Sequence, residues 1–166
     1  MHPDISVHFI TLGCPKNEVD SDRMSAALAA SSGFGVSSDL ESADITVLNT
    51  CAFITDAVEE AIAAIIELGE WKAARPGRLV IVAGCLPSRY GETVEPEFPE
   101  VDAFVPVADE ASLGRIIAGL TGGTADVTSP RLRMMPGPTA YLQISDGCHR
   151  RCAYCTIPAI RGPYRS

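Results

Sequence analysis

The sequence predicts an α/β fold, in which a Rossmann-like parallel sheet is flanked by helices. Short apolar segments rich in β-branched residues alternate with longer segments that carry apolar residues at helical spacing. The apolar segments end at turn-forming residues before the helical spacing begins. This alternation is typical of a parallel sheet that helices cover on both faces.

The first β-α unit lies at the start of the chain. Residues 6–12 (SVHFITL) predict a strand that stops at a Gly-Cys-Pro turn. Residues 17–30 predict a helix with Asn17 as its N-cap and acidic residues in its first turn. Residues 45–48 (ITVL) then predict the second strand.

A longer helix follows the second strand. It is predicted over about residues 55–68, with Ile62, Ile65 and Ile66 on one side. Gly69 is expected to end it.

Two further units complete the alternation. Residues 78–83 (RLVIVA) predict a third strand, and Pro87 suits the first turn of the helix after it. Residues 103–107 predict a weaker fourth strand. Asp109 is then expected to cap a last helix, whose apolar residues follow the i, i+3, i+4, i+7 pattern.

The chain length of 166 residues suffices for one full α/β domain and little more. Residues 1–120 are predicted to form that domain. Residues 121–139, rich in Gly, Pro and Thr, are predicted to be a linker. Residues 140–166 are expected to begin a second, truncated domain with a strand at residues 141–144.

Charge is distributed unevenly along a chain whose formal net charge is −8. Before Pro130 there are 20 acidic residues against 7 Lys or Arg, whereas the segment from Pro130 onward has one acid, Asp146, against 6 arginines. The acidic body disfavours direct nucleic-acid binding by this chain. The basic segment is expected to face phosphate, carboxylate or a cofactor, although arginines also simply decorate exposed chain ends.

No apolar run approaches the ~20 residues that a membrane-spanning helix requires. The N-terminus also lacks the basic start and cleavage site of a secretory signal. The sequence therefore predicts a cytoplasmic protein without a membrane partner.

Three cysteines, Cys14, Cys51 and Cys85, each follow a predicted strand directly. Because parallel strands bring their carboxyl ends to one edge of the sheet, we expect the three thiols to converge there. Three thiolates suit a cubane iron-sulfur cluster with one open iron. The alternatives are small apolar cysteines that fill tight corners, or a zinc site, which would need a fourth ligand.

Three polar residues lie beside these cysteines in the sequence. Lys16, Asn17 and Asn49 are candidates to donate hydrogen bonds to cluster sulfurs or to a bound substrate. Residues of these types also serve as turn formers and helix caps.

A second cysteine set, Cys148, Cys152 and Cys155, has the spacing C-x3-C-x2-C, with Tyr154 before the last thiol. Three closely spaced thiolates again leave one iron of a cluster unfilled. The alternatives are a zinc knuckle with His149 as fourth ligand and a redox dithiol at the last two cysteines.

The C-x3-C-x2-C motif with its aromatic residue resembles the radical S-adenosylmethionine superfamily. The two cysteine sets in this order resemble its methylthiotransferase family. The resemblance implies two 4Fe-4S clusters, one on each set, with S-adenosylmethionine bound at the cluster of Cys148, Cys152 and Cys155, beside Tyr154. It also implies that S-adenosylmethionine supplies both the methyl group and the radical, and that a methylthio group is inserted at an unactivated carbon.

Within that family, residues 12–24 (LGCPKNEVDSDRM) and 141–166 resemble the RimO-type enzymes, which modify an aspartate of protein twelve of the small ribosomal subunit. Pro15-Lys16-Asn17 stands where the tRNA-modifying relatives usually have Gln-Met-Asn. In the family, Ile157-Pro158 and Arg161-Gly162 lie near the radical cluster.

The implied partner is therefore a small-subunit ribosomal protein as substrate, and the electron donor is unknown. A tRNA (adenosine derivative) methylthiotransferase and a non-enzymatic module stapled by zinc or disulfides stay open as alternatives. The resemblance covers nearly the whole chain but about a third of the family's usual length. Because most of the barrel is missing, we expect this truncated chain to be inactive alone.

Overall fold

A computed structural model describes residues 5–123 and 140–166 of the chain. It contains a five-stranded sheet in which every neighbouring pair of strands is parallel. The strands are β1 (Ile5–Thr11), β2 (Phe34–Ser37), β3 (Ile45–Thr50), β4 (Leu79–Gly84) and β5 (Ala103–Pro106). The predicted α/β class with a Rossmann-like parallel sheet is confirmed.

Helices connect the strands and flank the sheet. They are α1 (Pro15–Ala29), α2 (Thr55–Ala73), α3 (Cys85–Val94), α4 (Leu113–Thr121) and the short α5 (Ile157–Arg161). Two 3-10 helices, Glu95–Glu97 and Val107–Ser112, lie before β5 and before α4.

The strand order is β2-β1-β3-β4-β5, which is the flavodoxin-like version of a doubly wound sheet. The chain goes to one side of β1 to make β2 and then crosses back over β1 to make β3. The crevice outside the carboxyl ends of β1 and β3 is therefore the topological switch point, where sheets of this kind bind ligands.

The core has two layers because β3 is buried on both faces. All six residues of β3 are buried, and Val47 and Leu48 point to opposite sides of the sheet. Val47 packs in a cluster with residues of α1 and α4, whereas Leu48 packs with residues of α2 and α3. Continuous rather than alternating apolar sequence is what such a strand requires.

One strand was missing from the sequence prediction. β2 has only four residues (FGVS) and lies at the edge of the sheet. Two of its four residues are a glycine and a serine, and Val36 is 36% exposed. The segment therefore has almost no apolar pattern from which a strand could be predicted. Its pairing with β1 is a tertiary contact.

Two predicted helix boundaries were wrong. Cys14, rather than Asn17, occupies the N-cap position of α1, because Asn17 turns inward and is completely buried. Gly69 does not end α2, which continues to Ala73. The buried Leu68 and Trp71 extend the apolar side of that helix and offset the low helix propensity of glycine.

The expected cap at Asp109 was also wrong. Asp109 lies inside the 3-10 helix Val107–Ser112, and α4 begins only at Leu113. The backbone N–H of Val107 donates to the Oγ of Ser88 at 2.9 Å. This bond attaches the chain to α3 where it leaves β5 and enters the 3-10 helix.

The strand predicted at residues 141–144 is not formed. A strand needs a neighbour along its length to pair its backbone groups, and here a single antiparallel bridge, between Asp146 and Arg165, is present instead. Of the predicted linker, Thr121 belongs to α4, and residues 124–139 lie outside the described residues. The division into residues 1–120 and 140–166 stays a prediction.

Within residues 5–123 and 140–166, no helix combines the length and the apolar character needed to cross a membrane.

The predicted apolar side of α2 is only partly buried, since Ile65 is 0% and Ile66 is 52% exposed. Ile65→Ala should lower the free energy of unfolding by about 2–5 kcal/mol, because it leaves a cavity between helix and sheet. Ile66→Ala, the same change one position later, should alter it by about 0.5 kcal/mol or less. Urea denaturation measures both values, and equal losses would contradict this packing.

Candidate functional site

Three cysteines from three separate strand ends line one cavity of about 740 Å³ at the carboxyl edge of the sheet. Cys14 is the N-cap of α1, Cys51 directly follows β3, and Cys85 is the first residue of α3. Cys14 and Cys51 stand at the switch point between β1 and β3. The topology thus brings together thiols that are far apart in sequence.

The turns that carry Cys14 and Cys51 touch each other. Gly13 has a φ of 104°, and a Cβ at this position would overlap the Cβ of Cys51 and lie 3.2 Å from its Sγ. Gly84, just before Cys85, has a φ of 95°, and a Cβ there would overlap the side-chain oxygen of Asn49. The absence of a side chain therefore permits the close approach of these turns.

A buried pair of amides joins the first two turns, since Asn17 and Asn49 are both 0% exposed. The Oδ1 of Asn17 lies 3.4 Å from the backbone nitrogen and 3.3 Å from the Sγ of Cys14, and accepts from both. Its Nδ2 donates to Asn49 Oδ1 at 3.2 Å and to the carbonyl of Thr50 at 2.9 Å. Asn49 in turn donates to the carbonyl of Asn17 at 2.9 Å and to Ser21 Oγ at 3.0 Å.

The third turn is tied in by Thr50. Its hydroxyl donates to the carbonyl of Ala83 at 2.7 Å and accepts from the backbone N–H of Leu86 at 3.2 Å. The turn that holds Cys85 is thereby fixed to the end of β3. All three cysteines are positioned by buried hydrogen bonds at the sheet edge.

The three polar candidates take different places in this arrangement. Asn17 contacts Cys14 directly, whereas Asn49 reaches that cysteine only through Asn17. Lys16 lines the cavity, and its Nζ pairs with Asp146 of the tail at 2.8 Å.

The cavity wall is mostly apolar and includes Phe53, Ile54 and Ile157. Cys51 is 7% and Cys85 is 5% exposed. Burial raises the pKa of the Cys85 thiol, and the positive charge of Arg161 opposes this effect. Binding of a metal would displace the thiol proton, because the thiolate is the ligand form.

Sequence reasoning missed how the tail completes this site. α5 brings Ile160 and Arg161 to the cavity, and the side chain of Arg161 is only 1% exposed. Its Nη2 lies 2.8 Å from Asp20 Oδ2 and 3.8 Å from Cys85 Sγ, and its Nη1 lies 3.4 Å from Asp146 Oδ2. The one signal in the sequence was the basic tail, which was expected to face carboxylate, phosphate or a cofactor.

The second cysteine set lies on the loop before α5. Cys152 is exposed, Cys148 and Cys155 are half-buried, and Tyr154 is 88% exposed. The backbone N–H of Cys155 donates to the carbonyl of Cys152 at 3.1 Å, and that of Cys148 donates to the carbonyl of Gly162 at 3.1 Å. The loop is therefore held by its own turn and by the end of α5.

All six cysteines are free thiols. Among residues 5–123 and 140–166, no three His, Cys, Asp or Glu side chains are grouped closely enough to hold a metal ion.

Gly13→Ala should disturb the site more than Gly33→Ala, a matched control with a φ of 90° and no heavy atom near the added Cβ. Both changes place alanine at positive φ, at a cost of about 1–2 kcal/mol. Only Gly13→Ala also pushes Cys51 away from Cys14. We expect a larger loss of unfolding free energy in urea for Gly13→Ala, and less iron per chain after anaerobic reconstitution. Equal behaviour of the two variants would refute the close packing of these turns.

Comparison of the sequence with known proteins identifies a family. The model of the uncharacterized protein family UPF0004 matches residues 6–106, which include the first three cysteines and all five strands except the first residue of β1.

Curated relatives extend the similarity to the tail. The chain is 43% identical to the ribosomal protein uS12 methylthiotransferase RimO of Syntrophus aciditrophicus, with 98% of this chain and 39% of the relative covered. It is 42% identical to the protein of that name from Sorangium cellulosum, with 96% and 34% covered, and 39% identical to that from Myxococcus xanthus, with 97% and 36% covered. The resemblance to RimO-type proteins is confirmed.

The chain thus spans between about a third and two fifths of the length of these relatives. The match to the family model covers more than half of the chain, and this protein therefore belongs to the family UPF0004.

Proposed function

We propose that this chain is the N-terminal part of a radical S-adenosylmethionine methylthiotransferase, which inserts a methylthio group at an aspartate of ribosomal protein uS12. The observation that carries the proposal is the single cavity lined by Cys14, Cys51 and Cys85. The names of the relatives support the reaction and the substrate.

The first cysteine set has the donors that a 4Fe-4S cluster requires. In a cubane each thiolate binds a separate iron atom, so the ligands line a cavity rather than meet at one point. Three thiols leave one iron free for an exogenous group. When bound, this cluster would supply the place at which the sulfur to be transferred is held.

The second set, Cys148, Cys152 and Cys155, would hold the other 4Fe-4S cluster, with Tyr154 beside it and S-adenosylmethionine on its open iron. This pair of groups, when bound, would supply the radical and the methyl group. Cys152 and Tyr154 are exposed, so this loop by itself does not shield a radical from water. The present chain alone is therefore inactive in the full reaction.

The other residues of the site position the ligands and line the cavity. Asn17 accepts a hydrogen bond from the backbone N–H of Cys14, and Asn49 holds Asn17 in place. The further bond from the Cys14 thiol to Asn17 belongs to the metal-free chain, because a thiolate ligand has no proton to donate. Phe53 and Ile54 give part of the cavity an apolar lining. Lys16 holds the tail against the cavity through Asp146.

Two other functions are less well supported. A tRNA methylthiotransferase would use the same chemistry, but the acidic body suits a protein substrate better than RNA, and the relatives carry the ribosomal name. A structural zinc ion needs four ligands gathered on one atom, and among residues 5–123 and 140–166 no three His, Cys, Asp or Glu side chains are grouped so closely. A disulfide-stapled module would need paired cysteines, and all six are free thiols. A ribosomal protein as substrate would agree with an activity in the cytoplasm.

Anaerobic reconstitution of the chain should load iron and sulfide on both cysteine sets. Replacing Cys14, Cys51 and Cys85 together by alanine should remove the iron of the first cluster. Replacing Cys148, Cys152 and Cys155 together by alanine should remove the iron of the second cluster. Both sets hold three thiols, so each triple variant serves as the control for its counterpart. Stoichiometric zinc without iron would rule out the cluster assignment.

Deletion of the full-length gene should abolish the methylthio mark on uS12 and leave tRNA modification unchanged. Complementation with the wild-type gene should restore the mark, and complementation with Cys51→Ala should not, because Cys51 is a proposed ligand of the sulfur-holding cluster. Mass spectrometry of uS12 and of digested tRNA measures both. Loss of a methylthio group from tRNA alone would identify the tRNA enzyme instead.

A further inference from the structure

Arg161 is the buried charge that connects the two cysteine-bearing parts of this chain. It is the last residue of α5, the short helix that follows the loop of the second cysteine set. Its guanidinium contacts Asp20 of α1, Cys85 of α3 and Asp146 of the tail. One side chain thus bridges three segments.

The ion pair between Arg161 and Asp20 ties the tail to α1 in the interior. The two side chains are 1% and 4% exposed, and their charged atoms lie 2.8 Å apart. A buried charge without its partner is strongly unfavourable. Burial raises the pKa of Asp20, and the positive charge of Arg161 partly offsets this effect. If the tail moved away, Asp20 would lose that charge.

The charged groups around Arg161 come from several elements. Asp20 and Arg23 lie on α1, Glu110 lies in the 3-10 helix before α4, and Asp146 lies in the tail. Burial alone would lower the pKa of Arg161, but the negative charge of Asp20 and its hydrogen bond raise it overall. Burial, together with the charge of Asp20, raises the pKa of Glu110 to about 8, so this carboxyl is mostly protonated at neutral pH. Arg161 itself stays charged, because its pKa is raised.

Docking of Arg161 also orders the loop of the second cysteine set. Ile160, beside it, is 5% exposed and packs in the core cluster that contains Leu48 and Leu86. The next residue, Gly162, accepts a hydrogen bond from the backbone N–H of Cys148 at 3.1 Å. The start of the cysteine loop is thus attached to the residue that follows the buried arginine.

The contact with Cys85 gives Arg161 a second effect. Its Nη2 lies 3.8 Å from the Sγ of Cys85 in a buried environment. Hydrogen bonds and positive charge at a ligating sulfur stabilise the more reduced, more negative state of an iron-sulfur centre. Of the two cysteine sets, only the first is contacted by this guanidinium within the described residues.

We propose that Arg161 is a positioning residue that docks the loop of the second cysteine set against the sheet edge and, by donating to Cys85, raises the reduction potential of the centre on the first set. The effect on potential rests on the proposed function, whereas the docking does not.

Hydrogen exchange of the chain without metal tests the docking. The backbone N–H groups of Asp146, Cys148 and Arg165 are bonded at 2.9, 3.1 and 2.8 Å in the docked tail. Arg161→Met should speed their exchange by roughly tenfold or more, because one partner of a buried ion pair is lost. Arg165→Met, which removes an exposed arginine from the same segment, is the matched control and should leave the rates of Asp146 and Cys148 unchanged. The amide of residue 165 is left out of this comparison, because its intrinsic exchange rate depends on its own side chain.

Reduction potential tests the contact with Cys85. The three cysteines of the second set are replaced by alanine, so that reconstitution loads only the first set, and the centre is titrated by electron paramagnetic resonance. Arg161→Met should lower its potential, and Arg165→Met should not. The double variant Asp20→Asn with Arg161→Met removes both buried charges, so it should stay folded. Its potential should still lie below that of the wild type, because the donor to Cys85 is lost, but by less than in Arg161→Met, because the negative charge of Asp20 is also gone.

The results separate the two claims. Unchanged exchange in Arg161→Met would overturn the docking role, and an unchanged potential in both Arg161 variants would overturn the role at Cys85. If the wild-type chain took up no iron, the proposed function and the effect on potential would fail together, while hydrogen exchange would still decide the docking.

Discussion

The hydrogen bonds between the amides of Asn17 and Asn49 hold together the two turns at the switch point of the sheet, and the arrangement of thiols depends on them. Both side chains are completely buried. They use their donors and acceptors on each other, on Cys14 and on the end of β3. Loss of either amide would leave buried polar groups unpaired, which is more costly than the loss of the hydrogen bond itself.

The same edge of the sheet also receives the tail. Acidic residues of the body, above all Asp20, meet the basic segment through Arg161, and Asp146 of the tail meets Lys16 of the body. In the first pair the tail supplies the positive charge and the body the negative one, and in the second pair the signs are reversed. Each part of the chain therefore neutralises a charge of the other. The cavity is consequently built from both cysteine-bearing parts, with α5 as part of its wall.

Much of the fold was predictable because buried parallel strands leave a strong local pattern. Four strands were located to within about two residues at either end, and the three cysteines that follow them were expected at one edge. The failures have tertiary causes. β2 is an edge strand with little apolar sequence, α2 continues through Gly69 because Trp71 is buried beyond it, and the segment at residues 141–144 finds no strand to pair with.

The sequence by itself determined the parallel sheet and placed Cys14, Cys51 and Cys85 at its carboxyl edge, because hydrophobic period and the residues that follow each strand are local properties. Only the tertiary structure decided that Asn17 would be buried behind Cys14 at the third position of the helix instead of at its N-cap, and that Arg161 would lie between Asp20 and Cys85. A buried polar contact between distant segments has no period in the sequence. Burial of either polar partner alone would cost free energy, and pairing the two offsets that cost. Which partners meet is determined only in the folded chain.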